Sequence, residues 1–138
     1  MSSMPKKRAD KNLEADVKKD VQEVLERHGW WWWMPPSSQY SKTGISDFHA
    51  IKNRLFMAIE TKRGVGVPKP TANQVAFLQK VKEGGHFAFV VNDTRVKHLD
   101  AFLGSFEIAT KAAQKSEKVP DEHGAQMINC MRELQQEI

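Results

Sequence analysis

The segment from Ile45 to Lys62 reads ISDFHAIKNRLFMAIETK and decides how this sequence is expected to fold. Two strand-like segments, Ile45–Ile51 and Leu55–Lys62, flank a polar turn that contains Asn53 and Arg54. Apolar runs separated by a two-residue polar turn are typical of a β-hairpin. The sequence therefore predicts two antiparallel strands joined by a tight turn around Asn53.

The register of this hairpin decides which side chains meet. The turn pairs Lys52 with Leu55, and the same register places Asp47 opposite Glu60, with Cβ atoms ~5 Å apart. Lys62 shares a face with Glu60, because residues two apart on a strand point the same way. A slip of one residue would turn Glu60 to the other face, so the prediction depends on this register.

Two carboxylates beside a lysine suit phosphate chemistry. Asp47 and Glu60 offer hard oxygen ligands for Mg²⁺, which keeps several waters and binds substrate phosphate. Such an ion would polarise the scissile phosphate and lower the pKa of the attacking water. Lys62 would orient that water or stabilise the phosphorus centre. An ordinary surface ion pair with Lys62 or Arg63 explains the same spacing, so the motif alone is weak.

The elements around the hairpin predict an α/β domain. Apolar residues at helical spacing predict a first helix that is capped by Asp10 or Asn12 and runs to His28. Short apolar runs predict strands at Trp30–Met34 and His86–Val91. Further helices are predicted at 70–83, 96–103, 105–118 and 121–137. The order of these elements indicates a mixed central β-sheet flanked by helices.

Four consecutive tryptophans, Trp30–Trp33, fall in the strand before the hairpin. Alternate side chains of a strand face opposite sides of the sheet. At least two of the rings are therefore expected in the core. The other two would cover a helix, a partner subunit or nucleic-acid bases.

Composition and charge exclude several classes of protein. The chain has 138 residues, enough for about one domain, and a net charge of +4. Segment 42–69 carries six basic and two acidic residues, either a phosphate-binding region or a solvated surface. The single cysteine, Cys130, excludes an internal disulfide framework and a multi-cysteine zinc cluster. With no membrane span or secretory pattern, a soluble protein of a reducing, cytoplasmic compartment is expected.

The stretches GISDFHAI, RLFMAIETKRGVG and KPTANQVAFLQKVKEGGHFAFVV resemble the PD-(D/E)XK, restriction-endonuclease-like nuclease superfamily. More narrowly, they resemble its virus-type replication-repair nuclease branch (VRR-NUC). The resemblance covers roughly Leu13 to Val91 and implies a restriction-endonuclease-like core. Ser46 stands where the superfamily name has proline, at a position known to vary.

The resemblance assigns roles residue by residue. Asp47 and Glu60 match the metal ligands, Lys62 matches the catalytic lysine, and Gln74 matches the glutamine of the following helix. Glu14 matches an acidic residue often found on the first helix.

Each of the last two residues also has a simpler interpretation. Thr71 and Gln74 fit a capping box, in which Gln74 reaches back to the helix start. Glu14 is by default a solvated residue on a charged face. His49, which shares strand parity with Asp47, could line the cleft, but a satisfied structural histidine is the expected case.

The expected metal site is completed by the carbonyl of Thr61, with Mg²⁺ or Mn²⁺ as the ion. Four residues are expected to contact the nucleic acid: Lys42, Ser46, Arg63 and Lys69.

The function predicted from the sequence is a metal-dependent DNA endonuclease. It would hydrolyse phosphodiester bonds, with branched DNA, Holliday junctions or nicking as options, in replication, repair or recombination. A bacterial or phage source fits the resemblance. The alternatives are a noncatalytic nucleic-acid-binding or assembly module that keeps the fold, and an RNA-cleaving variant.

The chain is expected to divide into a flexible basic tail at 1–11, a nuclease core at 12–104 and a helical extension at 105–138. The extension would act as a cap or as a dimerisation element that uses the apolar stripe Met127–Leu134. One chain offers one active site, so cutting both strands would need a homodimer.

Overall fold

A four-stranded sheet carries the fold of this protein. In the computed structural model, the strands are β1 (Trp31–Trp33), β2 (Phe48–Lys52), β3 (Leu55–Thr61) and β4 (Phe87–Val91). They lie in the order β1-β2-β3-β4, with β1/β2 and β2/β3 antiparallel and β3/β4 parallel. The predicted mixed α/β fold is confirmed.

The structure describes residues 14–36 and 44–138. The predicted tail, the caps Asp10 and Asn12, and Lys42 lie outside these residues. Within them, no helix is both long and apolar enough to cross a membrane.

The hairpin turn forms as predicted. Asn53 and Arg54 have φ angles of 50° and 68°, the left-handed pair required by a type I′ turn. The turn pairs Lys52 with Leu55 and brings Phe48 opposite Ile59. This register, continued by one residue, sets Asp47 opposite Glu60.

Four helices flank the sheet: α1 (Glu14–Arg27), α2 (Ala72–Glu83), α3 (Val96–Gln114) and α4 (Asp121–Leu134). The prediction of two separate helices at 96–103 and 105–118 is wrong, because α3 runs through Gly104 without a break. A glycine inside a helix costs only ~1 kcal/mol. The burial of Phe102, Leu103 and Ser105 on one side of α3 favours the continuous helix.

The two faces of the sheet are covered by different helices. Helices α1, α3 and α4 pack on the face that carries Phe48, Met57 and Phe89. Helix α2 packs through Leu78 on Ala58 of the opposite face, which we call the α2 face. Because side chains alternate along a strand, Asp47 and Glu60 belong to the α2 face.

The apolar stripe Met127–Leu134 packs against the core of the same chain. Cys130 and Leu134 are buried in the same cluster as the sheet, and Met127 and Met131 pack against it. The stripe predicted as a cap or a dimerisation element therefore covers the chain's own core.

The tryptophans alternate as predicted. Trp30 is buried, and Trp32 packs against the same core cluster. Trp31 and Trp33 project to the α2 face, where their ring centroids lie 5.1 Å apart.

Candidate metal centre

Three carboxylates from three separate segments converge at one end of the hairpin. Glu14 is the first residue of α1, Asp47 immediately precedes β2, and Glu60 lies near the end of β3. One oxygen atom from each carboxylate lies within 4.8 Å of the other two. This spacing would let all three bind one cation.

Thr61 holds Asp47 in place. Its backbone N–H donates to Oδ2 of Asp47 over 2.9 Å, and its hydroxyl donates to the same oxygen over 2.6 Å. The predicted strand begins at Ile45, but β2 begins only at Phe48. The side chain of Asp47 thus takes the N–H that a longer backbone ladder would have used.

Glu60 is the most buried of the three carboxylates, with 2% of its surface exposed. Its Oε1 accepts a hydrogen bond of 2.8 Å from Nε2 of Gln74 and lies 3.8 Å from Nζ of Lys62. Its Oε2 is buried and has no hydrogen-bond partner among the described residues. Buried polar atoms are nearly always partnered, so this oxygen requires an explanation.

The electrostatics of Glu60 agree with its geometry. Burial raises the pKa of Glu60 to about 8, the adjacent Asp47 carboxylate adds to the rise, and Lys62 opposes it. Near neutral pH the carboxyl therefore keeps its proton unless a positive charge joins the site.

Gln74 both completes the capping box of α2 and contacts Glu60. Its backbone N–H donates to Oγ1 of Thr71, while its Oε1 accepts from the N–H of Thr71 over 2.8 Å, which completes a capping box. Its Nε2 is thereby aimed at Glu60. One side chain caps α2 and fixes a carboxylate.

A glycine lets α2 approach the strand that carries Asp47. Gly44 has a φ of 83°, and a Cβ there would lie 2.5 Å from the backbone of Asn73. No other residue fits this contact without a shift of the helix start.

Lys62 follows β3 directly and keeps its ammonium beside Glu60. Its backbone N–H donates to the carbonyl of Val91 over 2.9 Å. The N–H and C=O of the preceding residue, Thr61, therefore point to the opposite edge of β3, toward Asp47. This direction is compatible with the carbonyl ligand expected at Thr61.

Lys18 is a site residue that the sequence reasoning missed. Its Nζ lies 3.7 Å from Oδ1 of Asp47. It stands four residues after Glu14 on α1, a spacing that puts two side chains on the same helix face. The four-residue spacing between Glu14 and Lys18 could therefore have predicted that Lys18 lies near the site.

The four expected nucleic-acid contacts have different surroundings. Ser46 is 2% exposed, and its hydroxyl donates to the carbonyl of Phe48 over 3.4 Å, so it is not presented to a ligand. Arg63 and Lys69 are exposed at the two ends of the loop after β3. Lys42 lies outside the described residues.

His49 differs from expectation. Its ring stacks on Phe77 at 5.8 Å, but its Nε2 is buried without a hydrogen-bond partner among the described residues. The expectation of a satisfied histidine is therefore wrong at this atom. Burial lowers the pKa of His49.

Fold and site together define a mixed α/β domain with a partly buried acidic cluster beside a lysine. Compared with models of known protein families and with curated proteins, the sequence gives no match.

Proposed function

We propose that this protein is a metal-dependent DNA endonuclease that hydrolyses phosphodiester bonds at the cluster of Glu14, Asp47 and Glu60. The observation that carries the proposal is the convergence of three carboxylates, one of them the buried Glu60, with one oxygen of each within 4.8 Å of the other two. Like charges brought this close need a proton or a cation between them.

The donor set fits a hard divalent cation. Three carboxylates offer only oxygen atoms, the ligands that Mg²⁺ and Mn²⁺ prefer. A cation bound there would give Oε2 of Glu60 a partner and offset the repulsion between Asp47 and Glu60. The raised pKa of Glu60 is what such a site should display when the cation is absent.

The surrounding residues have clear tasks in this reaction. When bound, the cation would supply Lewis-acid polarisation of the phosphate and a lowered pKa for the attacking water. Lys62 would place a positive charge where the phosphorus centre gains negative charge. Gln74 and Thr61 hold Glu60 and Asp47, so the carboxylates need not reorganise during the reaction.

DNA as the substrate is supported by charge and by the sequence resemblance. Arg63 and Lys69 are exposed in the segment that follows Lys62 and suit contacts with phosphates. The resemblance to the VRR-NUC branch favours a role in replication, repair or recombination in a bacterial or phage-infected cell. Branched DNA is the substrate we propose within that class, with a homodimer where both strands are cut.

A plasmid-cleavage assay tests the proposal. We expect nicking or linearisation with Mg²⁺ or Mn²⁺ and none with a chelator. Asp47→Asn and Lys62→Ala should each lower the rate about 100-fold or more, because the first removes a charged ligand of the cation and the second removes the positive charge at the reacting phosphate. The matched controls, Asp121→Asn and Lys111→Ala, change exposed residues outside the site and should cleave normally.

Two outcomes would contradict the nuclease. Undiminished cleavage by Asp47→Asn or Lys62→Ala would assign the activity to another site or a contaminant. Tight DNA binding with no cleavage in either metal would favour the noncatalytic binding module.

A further inference from the structure

The α2 face of the sheet is only partly covered. Helix α2 packs over β3 and β4, and the outer part of the face, over β1 and β2, carries exposed apolar side chains. Trp31 is 65% exposed, Ile51 is 44% exposed, and Trp33 is half-buried between them and the helix. A tryptophan this exposed on a sheet face is not explained by packing against the described residues.

Ring-to-ring contacts hold Trp31 and Trp33 in one arrangement. Trp31 leans on Trp33 at 5.1 Å, and Trp33 meets the ring of His49 edge-on at 5.4 Å. His49 in turn stacks on Phe77 of α2 at 5.8 Å, with the ring planes 11° apart. Because His49 and Phe77 support Trp33, the aromatic surface is formed before a ligand binds. Binding therefore costs little side-chain entropy.

The chemistry beside Trp31 selects an anionic ligand. A shallow groove of about 400 Å³ runs along the ring, between Ile51 and the hairpin turn, and none of the described residues that line it is acidic. Arg54, at the turn, is exposed and makes no ion pair with any described carboxylate. Lys52 also borders the groove, but its ammonium is held at the end of α1, where it donates to the carbonyl of His28 over 2.6 Å.

The aromatic surface lies on the same face of the sheet as the candidate metal centre. Trp33 pairs with His49 across β1 and β2. His49 is two residues from Asp47 on the same side of the strand, a separation of ~7 Å. A chain of nucleotides lying across β1 and β2 would therefore lead toward the carboxylates.

We propose that Trp31 and Trp33 form a stacking surface for the unpaired bases of a single-stranded nucleic-acid segment, with Arg54 on its phosphates. This inference rests on the proposed nuclease function and specifies its substrate, DNA that carries a single-stranded region next to the cleaved bond. Stacking needs an exposed base face, which a continuous duplex does not offer.

A second copy of the chain is the competing occupant, and two features disfavour it. Strand β1 has only three residues and is followed by Pro35 and Pro36, which lack the N–H groups that pairing of strand edges needs. Two copies joined through this surface would also bring the like-charged Arg54 of each copy onto one interface.

Binding without cleavage tests the surface independently of catalysis. In a buffer with chelator, fluorescence anisotropy would follow a labelled oligothymidylate of about 20 nucleotides and a blunt duplex of equal length. Trp31→Ala should weaken single-strand binding about 5- to 100-fold and change duplex binding less than about twofold. Trp31→Phe should keep most of the affinity, and the control Ile128→Ala, an exposed residue of α4, should keep all of it.

The remaining outcomes overturn the inference. It fails if Trp31→Ala binds the single strand as the wild type does, if both polymers lose equal affinity, or if the wild type binds no single strand. It also fails if sedimentation shows a dimer that Trp31→Ala dissociates while oligonucleotide affinity stays unchanged.

The failure of the nuclease proposal gives a different result. A protein that binds single strands through Trp31 but cleaves nothing in Mg²⁺ or Mn²⁺ would retain the stacking surface and lose the proposed activity. If the Trp31→Ala variant cleaves normally and binds single strands as the wild type does, the nuclease proposal stands and the stacking surface is rejected. Because Trp31 is mostly exposed, the variant should fold, and circular dichroism would verify that it does.

Discussion

Glu60 concentrates the chemistry of the site in one side chain. It is enclosed by β3 and α2. Its Oε1 accepts a hydrogen bond from Gln74, whereas no described residue donates one to Oε2. The protein tolerates the resulting rise in the pKa of this carboxyl. An arrangement that weakens the apo protein and suits a cation is typical of a functional site rather than of a stabilising ion pair.

The raised pKa of Glu60 has a predictable effect on stability in metal-free buffer. The folded protein holds this proton up to a pH of about 8, whereas an unfolded glutamate releases it near pH 4.5. The contribution of Glu60 to the free energy of unfolding is therefore fully present below the lower pH and is lost as the pH rises toward the higher one. Glu60→Gln, which stays neutral, should gain stability relative to the wild type between pH 5 and pH 8.

Urea denaturation with a chelator at those two pH values would measure this difference. Glu117→Gln, at an exposed glutamate, is the matched control and should show no such trend. A difference between Glu60→Gln and the wild type that does not change with pH would contradict the assignment. Saturating Mn²⁺ should restore the wild type's stability at the higher pH, because it binds the ionised carboxylate.

At the scale of elements, the hairpin and the first turn of α2 assemble the site. The type I′ turn fixes the register that brings Asp47 and Glu60 together. The capping box of α2 fixes the rotamer from which Gln74 reaches Glu60. Two local devices, each readable in the sequence, therefore determine a contact between distant segments.

Removal of the cap of α2 should affect stability and activity together. Thr71→Ala loses the oxygen that accepts from the N–H of Gln74, at a cost of about 0.5–2 kcal/mol in the free energy of unfolding. It should also loosen Gln74 and so lower the cleavage rate, though less than Gln74→Ala does. Gln79→Ala, at an exposed position later in α2, is the control and should leave both unchanged.

Denaturation curves and plasmid cleavage would check these effects side by side. Full activity of Thr71→Ala at temperatures where it is folded would show that the cap and the site are independent.

What the sequence could predict follows the range of the interactions involved. The turn, the register of Asp47 and Glu60, and the cap at Thr71 depend on residues near one another in the chain, and they were predicted. The continuity of α3 through Gly104 depends on packing against the sheet, which local propensity does not contain. The contact of Lys18 with Asp47 and the orphaned Nε2 of His49 likewise depend on how α1 and α2 dock on the strands.

At the scale of the whole molecule, the end of the described chain returns to the sheet. Arg95, which is buried at the start of α3, donates to both carboxylate oxygens of Glu137 and to the carbonyl of Val90. Ile138 packs on the small cluster under α2, and Gln135 donates to the carbonyl of Ala88 over 3.1 Å. The segment after α4 thus ties the two faces of the sheet together.

This ion pair should matter more for stability than a surface pair does. Glu137→Gln leaves the buried guanidinium of Arg95 without its charge partner and should cost about 3 kcal/mol in the free energy of unfolding. Asp121→Asn, which removes an exposed pair with Lys118, is the control and should cost less than about 1 kcal/mol. Equal costs for the two variants in urea denaturation would show that the buried pair contributes no more than a surface one.

The alternation of the four tryptophans also gives the molecule two separate optical reporters. Trp30, enclosed near Phe87 and Phe106, should emit at shorter wavelength and respond only when the core opens. Trp31, in contact with water, should emit at longer wavelength and respond to whatever approaches the α2 face. The close, tilted rings of Trp31 and Trp33 should couple their electronic transitions into a paired circular-dichroism band. Loss of that band while the core emission persists would reveal β1 detaching before the rest of the sheet unfolds.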